Sequence, residues 1–173
     1  MIIAPAYALL PSARQKSQMV MRREAMGEGI GVELVRIDDP DPDPEKYLSP
    51  TGRQLDRSIA VAAYRLPRPM PGGWKKPSLV AWTLVRTGKE FSDLPDGWQW
   101  AEGDANELPQ VLTVFIENRI SRIPDDVIRI DEINGIVSMY WHESDAEGAV
   151  GKVIDFLKDC CDLQLYQNTD TED

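Results

Sequence analysis

The pattern of apolar residues predicts an α+β domain built on a mainly antiparallel sheet. Three observations lead there. The first is a hairpin signal: VIRIDEI and IVSMYWH flank Asn134-Gly135 within residues 127–142, and a two-residue Asn-Gly loop is the sequence of a type I′ turn. The second is a set of short runs rich in β-branched residues at 30–37, 58–66 and 78–87, which read as further strands. The third is apolar spacing of helical period near 12–26, 107–120 and 145–161. About five strands and about three helices in a chain of 173 residues fit a single domain, here spanning 1–165. Residues 166–173 are expected to form a disordered acidic tail.

In chain order, the apolar residues 2–10 (IIAPAYALL) have no preceding Lys or Arg. A secretory leader needs a basic start, so a buried N-terminal strand is expected instead. Ser12 and Gln15 form a capping-box pair at the start of the first helix, and Gly27 is its natural stop. Arg14, Lys16, Arg22 and Arg23 lie on its face, and Met19 and Met26 supply the expected buried stripe. Residues 38–50 (DDPDPDPEKYLSP) alternate proline with aspartate, which predicts an extended acidic loop. A calcium loop needs a glycine and a distal glutamate that this segment lacks at the right spacing.

Residues 57–66 fit either a helical stripe through Leu55, Ile59, Ala62 and Leu66 or a strand through Ile59, Val61 and Tyr64. Pro67 at the end favours the strand. With 78–87 it would make a hairpin across the proline-rich loop PRPMPGGWKKP. Trp98 and Trp100 share one face of a short strand. In the helix at 107–120, Leu108, Val111, Leu112, Phe115 and Ile116 make the stripe, with Asp104 or Asn106 as cap.

The Asn-Gly register pairs Ile133 with Ile136, Asp131 with Ser138, Arg129 with Tyr140 and Val127 with His142. Ile128, Ile130, Val137, Met139 and Trp141 then face the core. Ser144 and Glu147 form a second capping box, starting a helix to Asp162 with Val150, Ile154, Leu157 and Cys161 inward and Val153 and Cys160 beside them.

No apolar run is long enough to span a bilayer, so no membrane partner is expected. The two cysteines, Cys160 and Cys161, are adjacent, and free thiols fit a reducing cytoplasm. With His142 the single histidine, a Cys/His zinc site cannot be assembled within one chain. His142 shares its sheet face with Arg129, Asp131, Ser138 and Tyr140. Asp131 and His142 are roughly 13–14 Å apart along the strands, too far for a triad. An Arg129–Tyr140 cation–π pair on a solvated face is the expectation there. GEGIG at 27–31 follows a helix and precedes a strand, the reverse of a nucleotide-binding loop. No catalytic residue, metal site or cofactor is assigned.

Charge is the strongest functional signal. The net −10 is unevenly spread: residues 1–26 carry +3, 27–52 carry −5, 53–89 carry +7 and 90–173 carry −15. This polarity predicts a non-enzymatic binding protein, an inhibitor or an adaptor, acting on a protein partner through charge complementarity. The acidic C-terminal half could imitate a phosphate backbone and act as a nucleic-acid mimic. Residues 53–89 give a second expectation, a nucleic-acid accessory protein. There Arg65, Arg68, Lys75 and Lys76 surround Trp74, a combination that suits phosphates with a base stacked on the ring. The third expectation is an enzyme of unknown reaction.

Overall fold

In the computed structural model, six strands form one antiparallel sheet with three helices on one face. The described residues are 11–43, 45–70, 72, 78–88, 94–102 and 105–166. In chain order the elements are α1 (Ala13–Gly27), β1 (Gly31–Asp38), β2 (Ser58–Pro67), β3 (Trp82–Arg86), β4 (Trp98–Glu102), α2 (Gln110–Arg119), β5 (Val127–Ile133), β6 (Ile136–Trp141) and α3 (Ala149–Cys161). The strand order is β1-β2-β6-β5-β3-β4. The α+β class predicted from sequence holds, with the Trp98–Glu102 strand completing the sheet. The expected N-terminal strand at 2–10 and the tail from residue 167 lie outside the described residues.

Local chemistry explains the elements that sequence placed correctly. Ser12 Oγ accepts the Gln15 N–H at 3.2 Å, and Gln15 Oε1 accepts the Ser12 N–H at 2.8 Å, so both orphan donors of the first turn are satisfied. Asn134 and Gly135 adopt φ of 55° and 73°, as a type I′ turn requires. Residues 58–67 are a strand, because Ala62 and Tyr64 pack inward from alternate positions while Val61 and Ala63 face the other way.

Five expectations are corrected. β2 and β3 do not form a hairpin: β2 pairs with β1 and β6, and β3 pairs with β4 and β5. The β5–β6 ribbon inserts between them, satisfying the inner edges of both. At the open end of that ribbon the register shifts between Val127 and Arg129. Val127 therefore pairs with Trp141 rather than His142 and enters the core, and Ile128 turns to the opposite face. α3 starts at Ala149 behind Gly148, not at a Ser144–Glu147 box, because Asp126 takes both the N–H and the hydroxyl of Ser144, at 2.8 and 3.1 Å. The acidic loop is not extended throughout. Asp39 accepts from Lys46 Nζ at 2.6 Å and Tyr47 Oη at 2.5 Å, drawing Glu45–Tyr47 into a 3-10 turn with Tyr47 buried. α2 likewise begins later than expected, behind Pro109, with no side-chain cap at that position.

The main core lies between the sheet and the helices, around Trp82, Leu84, Trp98, Leu112, Ile116, Ile130, Met139, Trp141 and Leu157. A smaller apolar cluster, Val61, Ala63 and Tyr140 with Val35, Ile37, Ile59 and Ile128, sits on the other face. Gly97 closes the β3–β4 turn at φ 78°, and a Cβ there would stand 2.5 Å from the Thr87 carbonyl oxygen. Gly97→Ala is therefore expected to cost about 2–3 kcal/mol in chemical denaturation. Gly29→Ala, with a similar φ of 85° but open space around its Cβ, should cost only about 1 kcal/mol. Equal costs would show that the Thr87 approach does not constrain the turn.

Candidate functional site

The rotation of α1 about its axis is set from the far end of the chain. Glu143 follows β6 with φ of 55° and is almost wholly buried. Arg22 of α1 grips its carboxylate with both Nε and Nη2, the Nε bond being 2.7 Å. The Tyr64 hydroxyl of β2 donates to the same carboxylate at 3.1 Å, and its ring packs edge-on to Trp141 at 5.3 Å. Burial, then the adjacent carboxylate, raises the Tyr64 pKa, so the phenol stays a donor. The Glu143 hydrogen bond raises the Arg22 pKa against the opposing effect of burial.

With Arg22 held this way, Met21 and Ala25 are the buried residues of α1. This corrects the stripe expected from sequence: Met19 and Met26 are not inside. Met19, Val20 and Met26 are 54%, 61% and 55% exposed. At 100° per residue they share the outward arc with Lys16 and Arg23, and no carboxylate falls between them. Among the described residues neither cation has an ion-pair partner. The result is an apolar surface studded with positive charge. The signal in the sequence was the cluster Lys16, Arg22, Arg23. What hid the face was that Arg22 is an inward group.

Of the residues singled out in the basic segment, Trp74, Lys75 and Lys76 lie outside the described residues. Arg65 is half-exposed on β2 and pairs with Glu33 across the β1–β2 ladder at 2.5 Å. Arg68 is 4% exposed. Its Nε and Nη2 each bind one oxygen of Glu132 at 2.7 Å, and Nη1 donates to the carbonyls of Cys160, Cys161 and Leu163 at 2.6, 3.2 and 3.1 Å. The guanidinium thus caps the C-terminal end of α3 from the sheet side of the core, where a cation also meets the negative end of the helix dipole. Trp82 Nε1 completes the Glu132 shell at 3.0 Å. Burial opposes the Arg68 charge, but Glu132 outweighs it and its pKa stands above the ordinary value. The structure therefore separates the two arginines, one at the surface and one inside. Beside Arg68, burial pushes the thiols of Cys160 and Cys161 up to about 12 and about 11, so both are inert packing at neutral pH.

The His142 face is partly buried rather than solvated. Asp131 and Ser138 are buried. Arg129 donates to Asp131 at 2.8 Å and stands 5.3 Å from the Tyr140 ring, so the expected cation–π pair is present. Burial raises the Asp131 pKa, and Arg129 opposes that shift. His142 is exposed beyond the end of β6. Its backbone N–H donates to the Asp126 carbonyl. The arrangement is a satisfied polar island, not a nucleophile with its base.

A half-open groove of about 810 Å³ lies between the end of α2 and the start of α3. Ile123, Pro124 and Phe156 contribute apolar wall, and Arg122, Lys152, Glu147 and Asp155 contribute both signs of charge. Such a mixture selects no single ligand charge. Among the described residues, no group of three or more His, Cys, Asp or Glu is gathered to hold a metal ion. No described helix is long and apolar enough to cross a membrane. Comparison with known protein families, curated proteins and solved structures finds no match.

Proposed function

We propose that the chain is a non-enzymatic binding protein, an inhibitor or adaptor, that docks on an acidic protein surface through charge complementarity. The observation that carries this reading is the outward face of α1, where Met19, Val20 and Met26 stand exposed beside Lys16 and Arg23, two cations without an ion-pair partner among the described residues. Apolar area excludes water around the charged contacts, and unpaired cations select a negative partner. A phosphate backbone would answer the two cations and leave the three apolar side chains without a counterpart, so a protein fits better than nucleic acid. The acidic half is a weaker candidate as a phosphate mimic, because Arg122 and Lys152 interrupt the carboxylates Glu117, Glu147 and Asp155 there.

The test is capture from nuclease-treated extract of the native host, with the wild type and the exposed double variant Lys16→Glu/Arg23→Glu. A protein retained by the wild type, released by raised salt and lost from the double variant is the expected result. Capture that is unchanged by the double variant would remove α1 as the docking face. Capture seen in untreated extract but absent after nuclease would transfer the reading to nucleic acid, with Arg53 and Arg57 as the exposed cations to examine next.

A further inference from the structure

We infer that the partner fitting α1 is a second copy of this chain, which presents its α2; this rests on the reading of α1 as a docking face. The outward face of α2 is the counterpart of α1 in both respects. Val111 and Val114, one turn apart, are each 45% exposed. Glu117 follows Val114 by one more turn, and Glu107 precedes the helix; both are exposed. The single cation of α2, Arg119, is withdrawn from this face. It pairs with Asp159 of α3 at 2.5 Å, and its guanidinium lies 5.9 Å from the Phe115 ring centre. One helix therefore offers apolar surface with two positive charges, and the other offers apolar surface with two negative charges.

The fold keeps these two faces apart within one molecule. α3 packs against both α1 and α2 on the same side of the sheet, so the two helices flank it. A two-fold relation between copies sets α1 of each on α2 of the other. The contact is then made twice, and the pair closes without leaving either face open. Two helix–helix contacts at ordinary spacing, with apolar side chains at their centres and opposite charges at their rims, have the anatomy of a protein interface.

Sedimentation velocity on the full chain over a concentration series tests this. The wild type should pass from monomer to dimer, and the midpoint should move to higher concentration as salt is raised. Lys16→Glu/Arg23→Glu gives a copy with two acidic faces. Glu107→Lys/Glu117→Lys gives one with two basic faces. Each alone should dimerise at least about 100-fold more weakly. Mixed in equal amounts, the two variants should recover the dimer, since both contacts regain opposite charges. All four positions are exposed, and an unchanged circular dichroism spectrum verifies that the folds are intact. A wild type that stays monomeric at every concentration overturns the inference. So does a dimer that survives either reversal, or a mixture that stays monomeric. If the wild type is monomeric while extract capture is still lost on reversing α1, the second copy is wrong and the docking reading stands. If capture also survives, both fall.

Discussion

Arg68→Ala is expected to destabilise the fold by about 3–5 kcal/mol, the usual cost of leaving one partner of a buried ion pair alone. Total domain stability is about 5–15 kcal/mol, so the loss is a large part of it and would unfold many molecules at the low end of that range. The substitution strands the Glu132 carboxylate, which is fully buried and would keep only the Trp82 indole as a side-chain donor. It also removes the donor to the carbonyls of Cys160, Cys161 and Leu163, so the end of α3 loses its cap. Four parts of the fold meet at this one group: the exit of β2, β5, Trp82 of β3 and the end of α3. Arg68→Met/Glu132→Leu should recover much of the loss, because no lone buried charge remains. Urea denaturation followed by tryptophan fluorescence measures both. A loss below about 1 kcal/mol in the single variant would contradict a buried Arg68–Glu132 pair that caps α3.

Glu143→Ala is expected to cost about 2–4 kcal/mol and to act locally on α1. It leaves the Tyr64 hydroxyl buried without its acceptor and Arg22 without its counter-charge. The substitution relieves no backbone strain, since alanine keeps a Cβ at φ of 55°. The characteristic signature is amide hydrogen exchange: protection should fall along Ala13–Gly27 while the β5–β6 ladder keeps its own. Docking should weaken with it, because the outward face depends on α1 being held in one rotation. Glu143→Gln, which preserves shape and one acceptor, should fall between the two. Uniform loss of protection across the molecule would show that the Arg22–Glu143–Tyr64 group supports the whole core rather than α1.

What was legible in the sequence was local. Asn134-Gly135 requires positive φ at both positions, and the hairpin followed with its first three pairs correct. Ser12 and Gln15 are three residues apart, and the box they make is local as well. What was not legible depended on partners distant in the chain. Arg22 reads as a solvated cation until Glu143, 121 residues away, is placed beside it. Arg68 reads as part of a basic surface until Glu132 and the end of α3 arrive underneath. Ser144 reads as a helix cap until Asp126 takes its hydroxyl. The strand order, with β5 and β6 between β3 and β2, is a property of the whole sheet and has no signature in any one segment. Distant partners were thus the common source of error, and one of them, the Glu143 that holds Arg22, orients the face on which the functional reading stands.

The orientation of α1 is therefore the claim to test most directly, and its methionines report on it. Brief oxidation of the native protein, read residue by residue in mass spectrometry, compares side-chain exposure at Met19, Met21, Met26 and Met139. At a dilution where the protein is monomeric, Met19 and Met26 should oxidise first, while Met21 and Met139 stay protected, with Met21 joining the fast group in Glu143→Ala. Slow oxidation of Met19 and Met26 in the wild type, with Met21 fast, would place the opposite face of α1 outward and contradict the account.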